Sequence, residues 1–266
     1  MAEPDYWLKN AEKYQKALDL AWNFPEQKTG TLSIIGGNSA SFMTEVKISE
    51  FLTKNYPFLK SVKNVFPDSL KKNFPPLENL VFCESTESGS FKRSPEFRSS
   101  LEESDCGLIL GDLSKNSETS LAILELLKNS EQTQLILTRD ALDLVSNEAT
   151  SFIIQENLTL FGSLAQLQKL FRALYYPKML LLSSPLLPVI ETLHKFTLSY
   201  PVSILTLHEG NIICASNGKV ATISLDKTPY SPISLWSGEL AAKLAVFKLY
   251  NPNSPYESLI ASIASK

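Results

Sequence analysis

Two segments of this chain run through the same order of events: a short apolar run, a glycine turn, then a helical pattern. Thr31-Leu32-Ser33-Ile34-Ile35 leads into Gly36-Gly37-Asn38-Ser39 and a helix from Met43 to Leu52, on which Val46, Ile48, Phe51 and Leu52 are apolar. Cys106-Gly107-Leu108-Ile109-Leu110 leads into Gly111-Asp112, and Ser117-Glu118-Thr119 opens a helix with Leu121, Leu124 and Leu127 on one face. Apolar strands interleaved with amphipathic helices need cover on both faces of their sheet. The pattern therefore predicts an α/β fold with a mostly parallel central sheet between helical layers.

The remaining elements fit that frame. Ser61–Phe66, Leu80–Cys83, Gln134–Leu137, Asn157–Leu160 and Ser203–Leu207 read as strands, and Asp140–Val145, the stretch from Ser163 and Leu186–Ser199 as helices. Ser114 or Ser117 is the expected cap of the helix near residue 117. Asn217-Gly218 between two strand-like runs, Asn211–Ala215 and Lys219–Ser224, predicts a C-terminal β-hairpin. Leu235–Leu249 and Pro255–Ser265 read as the closing helices. Upstream, Trp7, Ala11, Tyr14, Leu18 and Ala21 recur at helical steps, predicting an amphipathic helix over 6–20 packed on the outside. Residues 1–27 are thus expected to form a helical extension and 28–266 a single domain, without linker or repeat. Glu84–Pro95 reads as a serine-rich loop.

Composition narrows the partners. The chain has 266 residues, a formal net charge of −3, and Lys71-Lys72 as its commonest kind of positive cluster, which gives no basic field for nucleic acid. Three dispersed cysteines, Cys83, Cys106 and Cys214, form neither a disulfide framework nor a zinc pattern and read as buried thiols in a reducing compartment. Two histidines without carboxylates at ligand spacing give no metal site, and the longest apolar run, around Met179–Leu187, is too short for a membrane span. The acidic start Met1-Ala2-Glu3-Pro4-Asp5 carries no apolar leader, so a soluble, cytoplasmic protein is expected. Glycine, at 10 of 266, is about half as frequent as usual, which limits the loops that can wrap phosphate closely.

One segment carries chemistry. Ser234-Leu235-Trp236-Ser237-Gly238-Glu239-Leu240 follows the proline-broken Pro229–Pro232 and opens the penultimate helix. A small-residue turn there offers free N–H groups and the positive end of a helix dipole to an anion. Glu239, next in line, is either a base or a first-turn acid favoured by that dipole.

The order of these strings resembles the nucleotide-dependent NAD(P)H-hydrate dehydratases of the ribokinase-like superfamily, from about Lys28 to the C-terminus. The strings are Thr31–Ser39, Gly107–Gly111 with Ser117-Glu118-Thr119, Leu135–Leu142, Leu158-Thr159, the hairpin at Asn217-Gly218, and Ser237–Ala242 followed by Asn251-Pro252. The resemblance implies a ribokinase-like layered α-β-α fold and a reaction in which ATP or ADP, with Mg, phosphorylates the hydroxyl of hydrated NADH or NADPH before elimination. It implies Glu239 as catalytic base, Ser237, Gly238 and His208 as nucleotide-binding residues, and Gly37, Asn38, Gly111 and Asp140 as substrate-binding residues. Partners would be a small-molecule nucleotide or dinucleotide, with a homo-oligomer left open and neither nucleic acid nor membrane expected.

The departures bear on activity. A family Gly-Pro-Gly turn is replaced by Gly111-Asp112-Leu113, Asp-Ala-Asp-Ala-Leu by Thr138-Arg139-Asp140-Ala141-Leu142, and Thr-Pro-His by Thr159-Leu160-Phe161. A Lys-Gly has no counterpart in Thr206–Gly210 unless His208 substitutes, and Gly-Thr-Gly-Asp falls on Trp236-Ser237-Gly238-Glu239 or, shifted by one, puts Gly238 on the aspartate, with no Asp in either register. An extra carboxylate at Asp112 weakens anion binding, and a misplaced base costs about a hundredfold in rate. Two expectations stand: a divergent dehydratase with weak or no activity, or a non-catalytic relative used in assembly or ligand binding. Trp236 and Phe161 are expected to fill space vacated by substrate contacts or, for Trp236, to stack a base. His194 and, on one reading, His208 are expected to face solvent, and Asp140 to cap its own helix.

Overall fold

A computed structural model describes residues 4–265; the acidic start Met1-Ala2-Glu3 and the final residue Lys266 lie outside the described residues. The elements are β1 (Trp7–Leu8), α1 (Gln15–Leu18), β2 (Thr29–Gly36), α2 (Met43–Asn55), β3 (Leu59–Pro67), β4 (Leu80–Cys83), α3 (Pro95–Ser99), β5 (Cys106–Gly111) and α4 (Ser117–Lys128). Then come β6 (Gln134–Thr138), α5 (Arg139–Val145), β7 (Leu158–Phe161), α6 (Leu164–Ala173), α7 (Leu186–Ser199), β8 (Ser203–His208), β9 (Asn211–Ser216), β10 (Lys219–Ser224), α8 (Glu239–Tyr250) and α9 (Pro255–Ala264). Among the described residues the strands form one sheet in the order β1-β10-β9-β8-β7-β6-β5-β2-β3-β4. Only β9 runs against its neighbours.

Side-chain alternation along the strands divides the core in two. Ile35, Ile109, Leu137, Leu160 and Ile204 pack with residues of α4 to α7 on one face. Leu32, Ile34, Leu108, Leu110, Ile136 and Leu205 pack with α2, α8 and α9 on the other. The apolar strand runs are thus explained by burial from both sides, as expected of parallel strands. All three cysteines are free and buried. No helix among the described residues is long and apolar enough to cross a membrane.

The N-terminal segment corrects the sequence reading. Residues 6–20 are not one outer helix: Trp7 and Leu8 pair in parallel with Val220 and Ala221 at the sheet edge. Asn10 then takes a left-handed conformation, which stops any helix beginning before it. Short turns and α1 follow, burying Ala11, Ala17 and Leu20 in the core. Helical periodicity here recorded the spacing of core contacts made by a broken segment, because a free strand edge offered a better use for Trp7 and Leu8.

Two helix starts also moved. Asn116, not Ser114 or Ser117, caps α4, its Oδ1 accepting from Thr119 N at 2.7 Å, because it stands three residues before that donor. Helix α8 begins at Glu239 rather than Leu235; Ser234–Trp236 forms a separate 3-10 turn, and left-handed Gly238 divides the two. Ser163 caps α6 with a capping box completed by Gln166.

Candidate functional site

The strand order reverses between β2 and β5: the chain moves outward through β3 and β4, then returns to place β5 on the other side of β2. At such a switch point the loops leaving the carboxyl ends separate, and α/β proteins place ligands there. Here the two loops are Gly36-Gly37-Asn38 and Gly111-Asp112-Leu113, tied together by Gly37 N donating to Gly111 O at 3.0 Å.

Asn38 holds the first loop in shape. Its Oδ1 accepts from Ala40 N at 2.8 Å, and its Nδ2 donates to the Asp112 carbonyl at 2.6 Å. The second loop turns through Gly111 at φ +124° and Asp112 at φ +54°. This turn aims two consecutive N–H groups, those of Asp112 and Leu113, at one point. Their acceptor is the Asp140 carboxylate, Oδ1 at 2.9 Å and Oδ2 at 2.9 Å. Asp140 therefore does not cap its own helix but closes a neighbouring turn, and the start of α5 carries no side-chain cap. Burial raises the Asp140 carboxyl above its usual range, with the N–H of Leu113 and the charge of Arg139 pulling the other way.

Asp112 is likewise satisfied from within. Its Oδ1 takes Arg139 Nη2 at 2.7 Å and its Oδ2 takes the Thr44 hydroxyl at 2.8 Å. Arg139, itself left-handed at φ +54°, follows β6 directly, so the ion pair joins the ends of two adjacent strands through two backbone positions that L residues seldom occupy. With both side chains largely buried, a double-mutant cycle on Asp112→Ala and Arg139→Ala is expected to give about 1–2 kcal/mol of coupling in denaturant unfolding. Coupling near zero would reduce the pair to a surface contact.

Beside this network lies Glu45, in the first turn of α2. It is fully buried and neither carboxyl oxygen meets a protein hydrogen-bond donor. Its Oε1 lies against Gly36, whose missing side chain makes the room. Burial above all, together with the charges of Asp112 and Asp140, pushes its carboxyl up to about 8, against the pull of its own backbone N–H, which is too poorly placed to make a hydrogen bond, and of the Arg139 charge. Glu45 escaped the sequence reading, although Glu45, Ile48 and Leu52 fall on one face of α2 and a carboxylate in phase with core residues was a visible signal. Thr44 and Arg139 carried no comparable mark.

The other predicted residues sit at the same edge without joining the cluster. Gly238, at φ +103°, starts α8, and a Cβ there would be 3.0 Å from Leu110 Cδ1 and 3.1 Å from Ile48 Cγ1. The helix opening is thus pressed against the core. Ser237 is exposed, its N–H used by Ser234 O at 3.0 Å. Glu239 is exposed in the first turn of α8. Burial first, and then the Glu239 charge, push the Tyr230 phenol up to about 12. Trp236 lies 5.1 Å from Phe161, ring centre to ring centre, covering the end of β7. His208 is not a solvated turn residue: it is buried at the end of β8 and its Nε2–H donates to the Ser184 carbonyl at 2.7 Å. His194 is also drawn inward, stacked on Tyr6 at 3.6 Å with its Nδ1 on the Gly218 carbonyl, because the N-terminal edge segment covers it. Among the described residues, no three His, Cys, Asp or Glu side chains converge as metal ligands.

No protein-family model and no curated protein matches this chain. Solved structures match in fold. A ribokinase-like superfamily protein from Enterococcus faecalis aligns with a TM-score of 0.65 at 12% identity, over 98% of this chain and 86% of the other. An ADP/ATP-dependent NAD(P)H-hydrate dehydratase from Bacillus subtilis, co-crystallised with ATP/Mg2+, gives 0.53 at 10% identity, covering 92% and 84%. Pyridoxal kinase of Bacillus subtilis, as an ADP complex, gives 0.51 at 11% identity, covering 88% and 89%. The fold of this chain is therefore the layered ribokinase-like α-β-α arrangement.

Proposed function

We propose that this chain is a non-catalytic protein on the nucleotide-using ribokinase-like scaffold, serving as a binding or assembly module related in design to the NAD(P)H-hydrate dehydratases. The observation that carries the reading is the occupied anion cradle: the paired N–H groups of Asp112 and Leu113 hold the chain's own Asp140 carboxylate. A phosphate arriving there must displace two hydrogen bonds to a charged group, worth about 1.5–3 kcal/mol each, and meet Asp112 as well. The nearby cation, Arg139, is already paired with Asp112. At the α8 opening, Gly238 is packed against Ile48 and Leu110. These residues do not fit the phosphates of ATP or ADP with Mg.

The test is thermal unfolding of the full chain with millimolar ATP or ADP and Mg, where little rise in melting temperature is expected. Stabilisation of about 2.7 kcal/mol, the result of a Kd near one hundredth of the added nucleotide, would overturn the proposal.

A second reading, a divergent dehydratase with Glu239 as base, draws on one specific feature: the Glu239 carboxylate is exposed in the first turn of α8, whose opening lies against the end of β5. It expects hydrated NADH with ATP or ADP to regain reduced-nicotinamide absorbance, and Glu239→Gln to abolish that return. No return with the wild-type chain removes it.

A further inference from the structure

Three hydrogen bonds close the β2 side of the switch point on the loop after β5. Gly37 N donates to the Gly111 carbonyl at 3.0 Å, Asn38 Nδ2 to the Asp112 carbonyl at 2.6 Å, and the Thr44 hydroxyl to Asp112 Oδ2 at 2.8 Å. Behind them sits the Glu45 carboxyl, wholly buried and without a donor on either oxygen. Glu45 Oε1 and the Gly111 carbonyl oxygen flank the space left by the missing Gly36 side chain. Two acceptors at one small space suit a carboxylic acid, which has a proton to share, and not a carboxylate, which only accepts.

The surrounding charges act in the same direction. Asp112 in the loop after β5 and Asp140 at the start of α5 bring two carboxylates, and the neighbouring cation, Arg139, is already paired with Asp112. The elements packed on α2 do not offset them. Strand β2 carries no charged side chain; on β3, Lys60 is exposed and Lys63 pairs with Glu103. On α8, Glu239 is exposed, Lys243 bonds the Ser265 carbonyl and Lys248 interacts with the Cys106 thiol. Lys47, Glu50 and Lys54, on α2 itself, are exposed. An ionised Glu45 would therefore be a buried charge without a partner, beside two charges of its own sign.

The segment that carries Glu45 is lightly held. Ser39, Ala40 and Ser41 are exposed, α2 starts after Phe42 without a side-chain cap, and Gly37 at φ +86° turns the chain out of β2. We propose that Glu45 is a proton-operated clasp at the switch point: as the neutral acid it lets the two sides close, and once ionised it drives the first turn of α2 and the Gly37-Asn38 turn away from the loop after β5. Opening uncovers Glu45 and the ends of β2 and β5. Proton concentration then sets access to the crevice in which α/β proteins hold ligands. The clasp acts whichever reading of that crevice's function holds.

The experiment is amide hydrogen exchange of the full chain, read residue by residue by NMR and divided by the intrinsic rate at each pH. Between pH 6 and pH 7 the opening equilibrium at the Gly37 amide is expected to rise about tenfold, because opening releases one proton, and the rise levels off near pH 8. Glu45→Gln, with the same shape and no proton to lose, opens equally at both pH values. Urea below the unfolding transition leaves the Gly37 opening unchanged, since a loop exposes little surface, while the Ile136 amide in β6 follows global unfolding. Three results overturn the proposal: a flat Gly37 response in the wild-type chain, the same response in Glu45→Gln, or a urea dependence at Gly37 equal to that at Ile136. The last would mean that only complete unfolding releases the Glu45 proton.

Discussion

Glu45→Gln is expected to hold its stability nearly level between pH 5 and pH 8, while the wild-type chain loses about 3–5 kcal/mol over the same interval. The cause is a carboxyl whose folded-state value, about 8, lies far above the ordinary 4.5. Between those values the folded chain keeps a proton that the unfolded chain releases, so each step up in pH favours unfolding. The stability is therefore fully present below about pH 4.5 and lost as pH rises through the folded value. Glutamine has the same shape and never ionises, so at pH 5 it should match the protonated acid and at pH 8 exceed the ionised one. Burial also raises Asp140, which adds a smaller loss of the same sign that survives in the variant. Lys248, lowered to about 8 by burial, acts outside this window, since it adds stability only as pH climbs above that value. Urea unfolding of both proteins at several pH values reads the difference; parallel curves would show that Glu45 is not the titrating group.

The second large effect belongs to Gly111. Gly111→Ala should cost about 2–4 kcal/mol, because φ +124° is closed to L side chains and the new Cβ would collide with Asp140 Oδ1 and approach Arg139 Cβ to 3.1 Å. The collision falls on the carboxylate that closes the turn, so both N–H bonds from Asp112 and Leu113 go with it. Gly210→Ala is the control: φ is +68°, but nothing lies within 4 Å of the added Cβ, so only the backbone strain of about 1 kcal/mol remains. Equal losses in the two variants would mean that the Asp140 contact contributes nothing. A larger loss at position 111 shows the cradle to be a fixed part of the fold, the property on which the non-catalytic reading rests.

Much of the candidate site was legible as positions and little of it as contacts. Gly37, Asn38 and Gly111 stand out in the sequence because a glycine turn after an apolar run marks a strand end, Asp140 only through the family resemblance, and the structure brings these four together. Their partners were hidden. That Asp140 closes the turn after β5 depends on β5 and β6 being neighbours, a fact of sheet order that no local pattern states. Arg139 and Asp112 are 27 residues apart, and their pairing follows from the same adjacency. His194 and His208 were misjudged for a related reason: each is engaged by a segment distant in sequence, half-buried His194 by Tyr6 and buried His208 by Ser184.

The amino-acid sequence by itself determined the alternation of strands and helices, the hairpin at Asn217-Gly218 and the two-sided burial of the sheet, because these rest on periodicity and turn chemistry within a few residues. Tertiary structure alone decided that residues 7 and 8 join the sheet edge, that Glu45 is sealed without a donor, and that an internal carboxylate fills the anion cradle. Those outcomes depend on which strand ends become neighbours, and long-range adjacency is fixed only when the whole core closes.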